Sequence, residues 1–165
     1  MNFFEDIRVG QKNALGSYTF TAEEIVAFAR EFDPQPFHID ADAATRSHFG
    51  ALCASGWHTA CVWMKMNADQ HGREEADQRA RGEPSPHRGP SPGFRDLKWP
   101  NAVYVNDTIT YASEVIEKRP VRSRSEWGLA FSHCTGRNQS GALVLSFVSA
   151  LFIQRRSPAL NEPQA

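Results

Sequence analysis

The feature that most constrains the fold is a stretch around residue 60 that is apolar on nearly every side at helical spacing. Residues 50–70 read GALCASGWHTACVWMKMNADQ. One stripe of this predicted helix consists of Trp57, Ala60, Cys61, Met64 and Ala68. The opposite side adds Val62, Trp63 and Met66. A helix that is apolar all round has to be surrounded by other elements, and its Met and Trp content suits a core helix.

The segments on either side of this helix predict an α+β domain. Thr21 and Glu24 have the form of a capping box, and the apolar stripe after them predicts a helix over 22–32. A strand is expected over 9–20 and a short helix over 40–49. Alternating β-branched and aromatic residues then predict a run of antiparallel strands, over 94–103, 108–118, 125–138 and 142–154. A chain of 165 residues suits one domain, over 1–155, with a tail over 156–165.

A polar stretch and the overall charge narrow the possible functions. Residues 71–93 hold four of the ten prolines and four glycines, which predicts a flexible loop, either a solvated insertion or a lid over a binding site. The net charge of −1 lacks the basic excess that binds nucleic acid. The longest apolar stretch, 142–153, is shorter than the roughly 20 residues of a membrane helix, and no signal-peptide pattern begins the sequence. We therefore expect a cytoplasmic protein without membrane or nucleic-acid partners.

The cysteines and histidines do not have the spacing of a metal site. The three cysteines are an odd number without a Cys-x-x-Cys pair, which indicates reduced side chains. Three histidines lie ten residues apart, with no cysteine or carboxylate at a matching distance, at His38, His48 and His58. We therefore expect no metal.

Asp33 and His38 are the main candidates for chemistry. Asp33 follows the predicted helix over 22–32, which Pro34 and Pro36 end because neither has an amide hydrogen. Five residues of polyproline-like chain span about 15 Å, so the two side chains cooperate only if the loop curls back. A carboxylate and an imidazole that meet can flank one water molecule and move protons, as addition of water to a double bond requires. Otherwise Asp33 caps a turn and His38 is structural.

Ser55 and Gly56 stand at the start of the apolar helix. Serine is a good N-cap, and glycine leaves the backbone amides open to a close ligand. Amides at a helix N-terminus stabilise negative charge on an oxygen, such as that of a thioester whose neighbouring carbon becomes enolate-like. A plain N-cap of a core helix explains Ser55 equally well.

These segments together resemble the MaoC-like hydratases, also called the R-specific enoyl-CoA hydratase family. The family signature is Asp-x-Asn-Pro-x-His, then a small residue, Phe-Gly and a helix start of the type Ala-(His or Ser)-Gly. Here residues 33–60 read DPQPFHIDADAATRSHFGALCASGWHTA, and weaker similarity extends through 96–115 to the last strand. The resemblance covers about residues 5–155. It implies a hot-dog fold, in which an antiparallel sheet wraps a long central helix, here from Ser55 to about Asn67.

The resemblance also implies roles for particular residues. By position, Asp33 and His38 match the catalytic pair that holds the water, and Gly56 matches the backbone donor to the thioester oxygen. Ser55 lies in the neighbouring position that shapes the same pocket. Two substrate-binding positions depart from the family pattern, because Gln35 replaces the usual asparagine and Trp57 stands where a smaller apolar residue is common. Both departures alter the acyl pocket.

The leading prediction is a hydro-lyase of fatty acid metabolism that reversibly hydrates a 2-enoyl thioester. The expected substrate is an acyl-CoA, with coenzyme A as part of the substrate and without a metal or redox cofactor. A hot-dog acyl-CoA thioesterase and a non-catalytic acyl-thioester-binding subunit are the alternatives, since one scaffold supports all three. The resemblance further implies a homodimer, or a dimer of dimers, with acyl-thioester sites at the subunit interface.

Overall fold

The computed structural model describes residues 2–156, and these form a mixed arrangement of helices and strands. The elements in chain order are a 3₁₀ helix (Phe4–Asp6), β1 (Lys12–Thr19), α1 (Ala22–Phe32), α2 (Pro36–Ile39), α3 (Ala41–Thr45), α4 (Gly56–Ala80), β2 (Gly93–Lys98), β3 (Thr108–Pro120), β4 (Trp127–Arg137) and β5 (Leu143–Gln154). This order confirms the predicted α+β class. The tail predicted over 156–165 lies, apart from Arg156, outside the described residues.

The strands form one antiparallel sheet in the order β1, β3, β4, β5, β2. The three long strands β3, β4 and β5 follow one another in the chain and occupy the middle, while β1 and β2 are the edges. Val144 and Leu145 are adjacent in β5 and both fully buried, so this strand is covered on both faces, as its apolar sequence predicts. β2 is shorter than the predicted strand over 94–103, because it ends at Lys98, before the Trp99-Pro100 pair.

The sheet wraps α4 from one side. The Trp63 indole meets Phe147 of β5 edge-on, with ring centroids 4.8 Å apart, and the Tyr111 hydroxyl donates a hydrogen bond to the Thr59 carbonyl over 3.1 Å. Val62 is buried beside them. The stripe on the opposite side of the helix stays wholly or partly exposed within one chain, namely Trp57, Ala60, Cys61, Met64 and Ala68.

α4 continues well beyond its predicted end at about Asn67. Residues 71–80 belong to the helix, so the prediction of a loop over 71–93 is wrong for this part. The second half of α4 is polar and has no apolar periodicity. Oppositely charged side chains four residues apart stabilise the helix instead. Lys65 donates to Asp69 over 2.7 Å, and Arg79 donates to Glu75 over 3.0 Å.

Residues 87–91 also depart from the predicted free loop. They run beside β5, where the Gly89 amide donates to the Phe152 carbonyl over 2.9 Å. The Ser91 hydroxyl donates to the Ala150 carbonyl over 2.7 Å. This segment therefore extends the sheet edge before β2 begins.

Short helices lead the chain from β1 to α4. α1 begins after Thr21, whose hydroxyl accepts from the Glu24 amide over 3.3 Å while the Glu24 carboxylate accepts from the Thr21 amide over 3.2 Å, which is the predicted capping box. α1 has the predicted bounds. α3 is shorter than the helix predicted over 40–49, and Asp40 caps its first turn. These elements bring the end of α1 next to the start of α4.

Candidate active site

The loop after α1 curls back, so that Asp33 and His38 face one another. Asp33 is the C-cap of α1, and its amide donates to the Ala29 carbonyl over 2.9 Å. The Gln35 amide donates to the Asp33 carbonyl over 2.7 Å, and the His38 amide donates to the Gln35 carbonyl over 2.9 Å. Pro36 occupies the first turn of α2. Amide hydrogens in a first turn have no acceptor within the helix, so a proline, which lacks one, costs no helical hydrogen bond here. The Asp33 Oδ2 and His38 Nε2 atoms are consequently 3.6 Å apart.

His38 is buried, and its ring is held in one orientation. Its Nδ1 atom lies 2.7 Å from the Cys53 carbonyl oxygen. Because a carbonyl only accepts hydrogen bonds, Nδ1 carries a hydrogen, and Nε2 is the atom left facing Asp33. The Phe37 ring packs edge-on against the imidazole, with centroids 4.6 Å apart.

Two neutral side chains donate hydrogen bonds to the Asp33 carboxylate. The Ser55 hydroxyl donates to Oδ2 over 2.6 Å, and the Gln35 amide group donates to Oδ1 over 2.8 Å. Desolvation raises the pKa of Asp33, but the hydrogen bonds from Ser55 and Gln35 and the nearby charge of His38 outweigh it and lower the pKa below its ordinary value. Asp33 is thus a carboxylate near neutral pH.

The start of α4 is joined to the same site. Ser55 is the N-cap, and its hydroxyl accepts from the Trp57 amide over 3.2 Å while it donates to Asp33. Within residues 2–156, no hydrogen bond occupies the Gly56 amide. That amide belongs to the first turn of a long helix, where backbone N–H groups have no acceptor within the helix.

All the residues that the sequence predicts for catalysis or substrate binding line one cavity of about 350 Å³. These are Asp33, Gln35, His38, Ser55, Gly56 and Trp57. None of residues 71–93 is among the cavity-lining residues, so the hypothesis of a lid over this site finds no support in the described chain. The structure thus brings together six residues that lie up to 24 positions apart in sequence.

The cavity also has aromatic walls that the sequence does not reveal. Phe37 and Phe49 form one wall, with ring centroids 5.0 Å apart, and Trp99 packs against Trp57 on another, with centroids 5.2 Å apart. The sequence places residues 94–103 in a strand and carries no local signal that Trp99 reaches the start of α4. Proximity between these distant segments is a property of the tertiary fold.

Cys53 lines the cavity but is not poised as a nucleophile. Desolvation raises the pKa of its thiol to about 11. The thiol therefore stays protonated near neutral pH, and the reactive form of cysteine is the thiolate. The contribution of Cys53 to the site is its carbonyl group, which holds His38.

A second cavity, of about 630 Å³, lies along the later turns of α4 and the inner face of the sheet. Trp63, Phe147 and Leu15 are part of its lining, and none of its lining residues is shared with the cavity that contains Asp33 and His38. Across the described residues, no group of three or more His, Cys, Asp or Glu side chains is placed to hold a metal ion. None of the helices in residues 2–156 is both long and apolar enough to cross a membrane.

The sequence is similar to one known family. The sequence profile of the family described as "MaoC like domain" matches residues 8–128. The uncharacterized protein YdeM of Bacillus subtilis (strain 168) is 26% identical over 151 residues, which make up 92% of this chain and 98% of that protein.

Solved structures agree with this match. The MaoC-like dehydratase from Rhodospirillum rubrum is 30% identical, with a TM-score of 0.78 over 95% of this chain and 99% of that chain. The R-hydratase PhaJ1 from Pseudomonas aeruginosa is 20% identical, with a TM-score of 0.67 over 99% of this chain and 95% of that chain. These similarities confirm the hot-dog fold.

Proposed function

Because the chain belongs to the family of MaoC-like domains, we propose that it is a hydro-lyase that reversibly adds water to a 2-enoyl thioester. The observation that carries this proposal is the pair of Asp33 Oδ2 and His38 Nε2, 3.6 Å apart in a cavity at the start of α4. A distance of 3.6 Å is too long for a direct hydrogen bond, but it lets both atoms bind the same water molecule. The hot-dog scaffold supports several reactions, so the proposal depends on the residues of the site and not on the fold.

Each group has a defined part in the proposed reaction. In hydration, the water oxygen bonds to C3 of the enoyl group while Asp33 accepts a proton from that water. His38 gives a proton from Nε2 to C2, while Nδ1 keeps its contact with the Cys53 carbonyl. The net result is addition of one hydrogen and one hydroxyl group to the double bond. The proton that Asp33 took from water then passes to Nε2, which restores both groups. Dehydration is the same sequence in reverse.

The Gly56 amide is the proposed donor to the thioester oxygen. As C3 is attacked, negative charge develops on this oxygen through the enolate form, and a fixed donor stabilises it. The amide lies at the positive end of α4, which is 25 residues long. Proton transfer and water addition then account for the whole reaction, so the proposal includes no metal or redox cofactor. Coenzyme A is the proposed thioester carrier.

The direct test is to offer the purified protein 2-enoyl-CoA substrates and follow the absorbance of the conjugated enoyl thioester. We expect that absorbance to fall without release of free thiol, and the 3-hydroxyacyl-CoA product to accumulate. Release of free thiol would instead identify a thioesterase. Binding of acyl-CoA with neither change would identify a non-catalytic binding subunit. Either of the last two results would overturn the proposed reaction.

We also propose that the protein forms a homodimer through the exposed stripe of α4 and the free edge of β2. Trp57, Met64 and Phe94 are each at least half exposed, and edge strands and apolar patches of this kind are typical interaction surfaces. Sedimentation should give a particle of at least twice the chain mass of 18.5 kDa. A Met64→Glu variant should dissociate to monomers, whereas Ile116→Glu, at an exposed apolar position in β3, should not. A wild-type monomer at micromolar concentration would contradict this assembly.

A further inference from the structure

The catalytic cavity is small and has aromatic side chains on two sides. Its volume of about 350 Å³ lies near the lower end of the roughly 300–1,000 Å³ that is usual for small-molecule sites. Phe37 and Phe49 stand beside His38, while Trp57 and Trp99 stand beside the start of α4. Aromatic rings at such positions pack well against flat, conjugated groups.

Trp99 lies directly on the residue proposed to bind the thioester oxygen. A Cβ atom built on Gly56 would be only 2.6 Å from Cδ2 of the Trp99 indole, and no real side chain packs so closely. The absence of a side chain at Gly56 therefore lets the indole lie against the first turn of α4. A thioester oxygen held by the Gly56 amide would therefore lie close to the Trp99 ring.

The catalytic cavity and the second, larger cavity have no lining residue in common. Thr59 lines the catalytic cavity, and Trp63, one helical turn further along α4, lines the second cavity. Trp63 is 4% exposed and packs edge-on against Phe147, which also lines the second cavity. Val103 and Val144, both fully buried, also line the catalytic cavity.

We infer that Trp99, braced by Trp57, restricts the substrate to short, flat 2-enoyl groups, from but-2-enoyl to 3-phenylpropenoyl in size. This inference rests on the proposed function and adds the substrate class to it. A planar conjugated chain fits between the aromatic walls, whereas a long saturated tail has to displace Trp99 or pass Trp63. The first disrupts the edge-on contact of Trp99 with Trp57, and the second disrupts the buried edge-on contact of Trp63 with Phe147.

The test compares crotonyl-CoA and cinnamoyl-CoA with trans-2-decenoyl-CoA. For the wild type we expect kcat/KM to be at least about ten-fold higher for the first two substrates, in the range by which pocket shape discriminates apolar groups. Trp99→Ala should lower kcat/KM for cinnamoyl-CoA and raise it for decenoyl-CoA, shifting the ratio about ten-fold. Trp99→Phe should keep the wild-type preference. Trp127→Ala is the matched control, because it removes a half-buried tryptophan that lines neither cavity.

Two results would overturn the inference. One is a wild-type preference for decenoyl-CoA, which would indicate that the tail occupies the second cavity. The other is an unchanged ratio in a Trp99→Ala protein whose circular dichroism and melting temperature show that it is folded. Dissociation constants of the same three thioesters, measured by calorimetry, distinguish failure of this inference from failure of the proposed reaction. A protein that hydrates none of them but binds cinnamoyl-CoA at least about ten-fold more tightly than decenoyl-CoA retains this pocket and loses only the proposed reaction.

Discussion

Replacing Asp33 with asparagine is expected to lower kcat by about 10²- to 10⁴-fold, the usual contribution of a general base. Asparagine keeps the size of the side chain but cannot take a proton from water. We expect KM to change much less, because the cavity walls remain in place. Steady-state hydration of an enoyl-CoA measures the loss, and circular dichroism confirms the fold. Asp69→Asn, which alters only an exposed carboxylate paired with Lys65, should retain wild-type rates. Full activity of the Asp33 variant would exclude the mechanism.

A Ser55→Ala substitution gives a graded form of the same test. It removes the hydroxyl that donates to Asp33, so the pKa of the carboxyl should rise toward its ordinary value. The lowered pKa keeps Asp33 ionised, and thus active, as the pH falls. In the variant, the acid limb of the kcat/KM profile should therefore move to higher pH. An acid limb that stays in place would show that the profile reports another group.

Replacing His38 with asparagine should lower kcat by a similar factor, about 10²- to 10⁴-fold. The asparagine amide group can still donate to the Cys53 carbonyl, as Nδ1 does, so the backbone around Cys53 keeps its partner. The nitrogen that faces Asp33 is lost, and with it the proposed proton donor to C2. Incorporation of solvent deuterium at C2 should fall in step with the hydration rate.

The matched control for this substitution is His133→Asn. His133 is exposed on β4, contacts Ser146 over 2.9 Å and lines neither cavity. We expect its rate to equal that of the wild type. If the His38 variant also kept its rate, a different group would have to supply the proton.

The elements that the sequence predicts well are those set by neighbouring residues. α1 has its predicted bounds because Thr21 and Glu24 fix its start, while Pro34 and Pro36 follow its end. The late strands likewise follow from local β-branched and aromatic residues. The polar half of α4 is different, because its helicity comes from charge pairs four residues apart and from no apolar stripe. Composition rich in charge, proline and glycine therefore predicts a loop there, and the first part of that prediction is wrong.

The candidate site shows the same division. The resemblance carried by residues 33–60 identifies Asp33, His38 and Gly56 as a group, but local sequence cannot place their atoms. The approach of Asp33 to His38 depends on the Cys53 carbonyl, which comes from 15 residues further along the chain. Trp99 is more distant still, and its position follows from the path of the chain after β2. Long-range packing decides both, and neither has a periodic or capping signal in the sequence.

One oxygen atom, Oγ of Ser55, serves both the scaffold and the chemistry, because it caps α4 and also donates to Asp33. Substitution by alanine removes both contacts together, at a cost to folding of about 1 kcal/mol for the lost cap alone. A side chain that replaces Ser55 would therefore have to satisfy two requirements at once, as acceptor from the Trp57 amide and as donor to Asp33. Even without the chemistry, the start of α4 would still need a hydroxyl or a similar acceptor at this position.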